Sequence, residues 1–83
     1  MNGLIVAINR NLGIIVVETQ THRCVVLEAS GLMPFTIGEQ VEGDFDQLGE
    51  IKLQNLSTGD HVHAKVQTTN ASRSDAVGSM TVF

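Results

Sequence analysis

Few side chains in this 83-residue chain could do chemistry, and their spacing decides what they could do. His61 and His63 stand two apart, which in a strand points both imidazoles to one face. With Asp60 or His22 nearby they could bind a transition metal. Two histidines without a clear third ligand fit a solvated strand face equally well. Cys24 with His22 is the one pairing of a nucleophile with a base, and no third group is placed to orient it. Cys24 also lies inside an apolar run, whereas a reactive thiolate needs an electropositive, accessible setting; it reads as a buried, inert thiol. Glu39, Glu42, Asp44, Asp46 and Glu50 could share protons or calcium, but they lack calcium-loop spacing. The alternation of Glu42 and Asp44 reads as a solvated, self-repelling edge that discourages aggregation. Gly31, Gly38, Gly43, Gly49 and Gly59 fall in loops, at turns or within a strand, and none opens a helix that could cradle phosphate. The expectation is a non-enzymatic protein with no catalytic residue, no metal site and no cofactor.

Composition narrows the partners. The formal net charge is −4, from nine acids against five bases. Nucleic-acid binders usually carry the opposite sign, because phosphate neutralisation supplies most of their affinity. Trp and Tyr are absent and Phe occurs three times, so a base-stacking surface is hard to build. Arg10, Arg23, Lys52, Lys65 and Arg73 are scattered rather than grouped. A single cysteine allows no intramolecular disulfide, which fits a reducing compartment. The opening residues MNGLIVAINRN carry no basic residue ahead of their apolar run, and the apolar runs are too short to cross a bilayer as helices. A soluble cytoplasmic protein is expected, with no membrane partner.

The elements that must position these residues read as strands and turns. GLIVAI (3–8) and IIVVE (14–18) are rich in β-branched residues and flank the turn NRNLG, a hairpin pattern. CVVLE (24–28) is a third strand, and a loop holding the lone proline, Pro34, follows it. QVEGDF (40–45), IKLQNL (51–56) and HVHAKV (61–66) alternate apolar with polar, as half-buried strands do. STGD (57–60) is a turn signal between the last two. The spacing predicts an all-β domain over residues 1–68, a small antiparallel barrel of five or six strands. Residues 69–83 read as a flexible polar tail with a short apolar patch, Met80–Phe83.

The order of these elements resembles the cold-shock domain, a five-stranded barrel of the oligonucleotide/oligosaccharide-binding (OB) type. The matching frame runs from Gly3 to about Asn55. It holds Gly3 with its strand and Asn9, Gly13 opening the second strand, VVLEASGL (25–32), and IGEQVEGDF (37–45) leading into the fourth strand. In that family, aromatic side chains of the first three strands stack on bases. The resemblance places the stacking positions on Ala7, Ile14, Val16, Val26, Glu28 and Ala29, and the family's lysine ahead of the glycine on Leu12. All are aliphatic, small or acidic. Each base–aromatic stack contributes about 1–3 kcal/mol, so replacing the platform removes most of that affinity. The resemblance implies the barrel; its nucleic-acid binding would rest on Arg10, His22, Arg23 and Phe35.

On this frame Ile5, Ile15 and Val17 fill the core, while Ala7, Ile14, Val16 and Val26, with Leu12 at the rim, form an aliphatic outer face. Large open apolar patches are rare on monomers and usually mark interfaces. The expectation is an exposed patch that something covers, most simply a second copy of the chain. The chain's own Met80–Phe83 is another candidate cover, and a sandwich core with both faces internal is the third arrangement consistent with these runs. The function expected is protein–protein interaction or self-association, with single-stranded RNA or DNA binding as the alternative. A small-molecule or oligosaccharide site in the barrel mouth is weaker.

Overall fold

The computed structural model describes residues 1–29 and 34–72. Within them, β1 (Asn2–Asn9), β2 (Ile14–Thr19), β3 (Cys24–Ala29), β4 (Gln40–Glu42), β5 (Gly49–Asn55) and β6 (His61–Ala71) close into an antiparallel barrel. The order around it is β1-β2-β3-β6-β5-β4. The architecture is the all-β barrel expected, with six strands, and it is compatible with an OB-like fold. No helix among the described residues is long and apolar enough to cross a membrane.

Local chemistry sets the turns. Between β1 and β2, the Leu12 amide donates to Asn9 Oδ1 at 3.2 Å and Gly13 takes φ +69°. A side chain at Gly13 would collide with the Ala29 carbonyl, so this corner needs glycine both for its φ and for the close approach. The Ala29 amide returns a hydrogen bond to the Gly13 carbonyl at 2.8 Å, tying the turn to the end of β3. Between β5 and β6, Asn55 Oδ1 accepts from the amides of Ser57 and Thr58, an Asx-type turn. Asn55 is fully buried, and its Nδ2 donates to the Pro34 carbonyl and Glu39 Oε1 at 2.9 and 3.0 Å. It clamps the long β3–β4 connection onto the barrel.

The core is the space inside the barrel. Ile5, Ile15, Val17, Val25 and Leu27 point inward from β1–β3 and meet Val41, Ile51, Leu53, Ala64 and Val66 from the other strands. Phe35 and Phe45, both 1% exposed and both in connections rather than strands, are the largest side chains in it. Burying each such side chain contributes about 1.5–3 kcal/mol, which is how a chain this short closes a core.

Three features depart most from the sequence pattern. β4 is three residues long rather than six; beyond it the Gly43 amide donates to the Met1 carbonyl and Asp44 accepts from Gln47 Nε2. β1 carries a bulge between Ile5 and Ala7, so Val6 is the extra residue. β6 continues to Ala71, because its second half pairs with β3 as far as Cys24. Residues 69–71 therefore belong to the barrel. The rest of the expected tail, with Met80–Phe83, lies outside the described residues, as do residues 30–33.

Candidate interaction face

The outer surface of β1, β2 and β3 is built by register. Val16 lies opposite Ala7 on one side and Val26 on the other, and Cys24 lies opposite Glu18 and Ala71. Side chains alternate across a strand, so these residues face away from the core formed by Ile15, Val17, Val25 and Leu27. Ile14, Val16, Cys24 and Val26 make a second apolar cluster, with Val6, Ala7, Leu12 and Ala71 packed against it. The bulge brings two consecutive β1 residues, Val6 and Ala7, to this cluster. All five residues expected on the interaction face, Ala7, Leu12, Ile14, Val16 and Val26, fall in it, and Cys24 joins them as a buried thiol.

The expected exposure of this face is corrected. Val16 and Cys24 are 0% exposed, Val26 4% and Ile14 7%. That burial is complete within one chain. The two faces of the apolar runs are thus both dry, but they belong to two separate clusters, one inside the barrel and one outside it.

Of the residues of the nucleic-acid alternative, Arg10 and Phe35 meet, and His22 and Arg23 lie apart from them. Phe35 is inside the core, where its ring meets no solvent. Arg10 sits in the β1–β2 turn and donates from Nη2 to the Phe35 carbonyl at 2.6 Å. His22 and Arg23 sit in the β2–β3 turn, at the other end of β2, about 20 Å away along a six-residue strand. His22 adopts φ 63°, held by its amide donating to the Thr19 carbonyl at 3.0 Å. It is therefore a turn residue rather than part of the strand that carries Cys24.

A groove of about 550 Å³ opens beside Arg10, where β3, β6 and β5 lie side by side. Glu28 faces Lys65 across β3 and β6, and Lys65 faces Glu50 across β6 and β5. With Arg10 and His63 at its edges, the groove carries both signs of charge. Sequence reasoning missed it because β3 and β6 are far apart in the chain and no local signal sets their register. His61 and His63 are both exposed on β6, opposite Gln54 and Lys52, and no group of three or more metal-ligating side chains occurs among the described residues. No buried side-chain nitrogen or oxygen among the described residues lacks a hydrogen-bond partner.

The chain matches no protein-family model, no curated protein and no solved structure.

Proposed function

We propose that this chain is a non-enzymatic protein-interaction module with a cold-shock-like, OB-type barrel, and that its docking surface is the outer face of β1–β3. The observation that carries the reading is the second aliphatic cluster. Closing the barrel requires only the inner residues. β5 shows what a strand facing water looks like here: Ile51 and Leu53 point in, while Lys52 is exposed. β2 instead presents Ile14 and Val16 outward at the positions that face a ligand in the resembled family. Buried in the single chain, these aliphatic side chains would, once uncovered, offer shape and area to another apolar surface and no π-face to a base. The simplest partner is a second copy of the chain, since most soluble oligomers are symmetric.

The test is the solution mass by light scattering behind a sizing column, for the natural chain and for Leu12→Asp. Leu12 is half-buried at the rim of the cluster, where a carboxylate blocks docking without entering the core. An assembly that becomes a single chain in Leu12→Asp supports the reading. Monomers over a wide concentration range in both overturn self-association. Binding to mixed single-stranded oligonucleotides that weakens steeply with salt would put the nucleic-acid reading in its place.

A further inference from the structure

We propose that the groove beside Arg10 is a binding site for a short zwitterionic peptide, with the ammonium held by Glu28 and Glu50, the carboxylate by Arg10 and an apolar side chain against Leu12. The site is separate from the docking face above and does not depend on it.

A row of residues runs across five neighbouring strands. Asn9 lies opposite Ile14, Ile14 opposite Glu28, Glu28 opposite Lys65 and Lys65 opposite Glu50. The last three point outward, because their chain neighbours Leu27, Ala29, Ala64, Val66 and Ile51 belong to the core inside the barrel. Glu28, Lys65 and Glu50 are all exposed. The row thus changes from apolar to charged between β2 and β3. Leu12 stands at that change: it packs against the outer aliphatic cluster and also lines the groove.

The charges do not cancel locally. Opposite charges facing each other across strands stabilise a sheet, and Lys65 can balance one carboxylate in this way. It has two, one on each side. This half of the groove keeps an excess of negative charge that suits an ammonium. Arg10 stands at the other edge, where its Nη2 donates to the Phe35 carbonyl at 2.6 Å. That bond holds the guanidinium in place and leaves its charge intact, and a guanidinium fork matches the geometry of a carboxylate. Taken whole, the lining balances two carboxylates against two cations, with histidine neutral. A phosphate would be repelled by Glu28 and Glu50, and a diamine by Arg10 and Lys65. A zwitterion laid between the two ends meets neither repulsion.

Length selects the peptide. Asn9 and Glu28 are two strand spacings apart, about 10 Å. The charges of a free amino acid are too close together to bridge that distance, whereas three extended residues span about 10 Å. The groove volume of about 550 Å³ lies within the range of small-ligand sites.

The probe is the tripeptide glycyl-leucyl-glycine, with its N-acetylated and C-amidated forms, titrated into the isotope-labelled full chain and followed by amide NMR shifts. Free peptide is expected to give saturable shifts at Gly13, Ala29 and Lys65. Either blocking group is expected to weaken binding about tenfold or more, since each removes a charged hydrogen-bonding group. The variant carrying Glu28→Gln and Glu50→Gln is expected to weaken the free peptide by a similar factor and to leave the N-acetylated form unchanged, which a merely structural effect would not do. Neither glutamate belongs to the outer cluster, so solution mass tests the docking face independently of this site. Absence of saturable shifts at the groove with millimolar free peptide overturns the site. Equal binding of free and blocked peptides overturns the recognition of a zwitterion, as does equal weakening of the free and N-acetylated forms in the glutamine variant.

Discussion

Val16 and Val17 are neighbours in β2, both fully buried, and they are dried by different means. Val17 faces into the barrel, where six strands and two phenylalanines surround it as a consequence of closure. Val16 faces out, into a cluster that closure does not enclose. The inner cluster is what the fold requires; the outer one is apolar surface beyond that requirement. Burial alone therefore does not separate a core residue from an interface residue. What separates them is whether the elements that bury the side chain are those that make the fold.

The comparison can be broken most severely at this pair. Val17→Asp places an unpaired carboxylate inside the barrel, a change costing several kcal/mol and comparable to the whole stability of a small domain. It is expected to abolish cooperative folding by circular dichroism and urea denaturation. Val16→Asp is expected to leave a folded barrel with a lower urea midpoint, because its side chain lies outside the closed barrel. Equal loss of folding in both variants would show that the outer cluster is part of the core.

A milder pair uses identical chemistry on adjacent residues. Ile15→Ala removes an inner side chain and is expected to cost about 2–5 kcal/mol, from lost burial plus the cavity left behind. Ile14→Ala, on the outer face, is expected to cost about 1–2 kcal/mol, nearer the transfer value alone, since its side chain lies outside the closed barrel. Urea unfolding of both variants measures the difference.

Gly13→Ala tests the corner that joins the two faces. The residue there takes a positive φ and its side chain would meet the Ala29 carbonyl. The expected cost is about 1–3 kcal/mol by urea unfolding. The smallest effect is expected at Ile37→Ser. Ile37 is 60% exposed and joins neither cluster, so stability should move by less than about 0.5 kcal/mol and Cys24 labelling should not change.

The strands were readable because β-branched runs and turn residues alternate along the chain, and all six begin within two residues of where the pattern places them; β4 stops early. The division of β2 and β3 into inner and outer sets was also readable, since side chains alternate and the resemblance supplied the phase. The bulge at Val6 was not, because an extra residue in an all-apolar run leaves no polar mark. The second half of β6 was not, because Gln67, Thr68 and Thr69 look like a tail and are ordered by pairing with β3. The resemblance made Phe35 a candidate binding aromatic; its ring instead lies in the barrel core. The apolar runs announced a second apolar face, expected to be open on a single chain, and no local pattern says that it is buried.

The most direct measurement is the labelling rate of Cys24 by maleimide in the intact, native chain, followed over a dilution series and compared with the urea-unfolded chain. A face covered within its own chain predicts slow labelling that does not change on dilution. Labelling at the unfolded rate would mean the outer face is open, and protection that fades on dilution would mean that a second copy, not the chain itself, covers it.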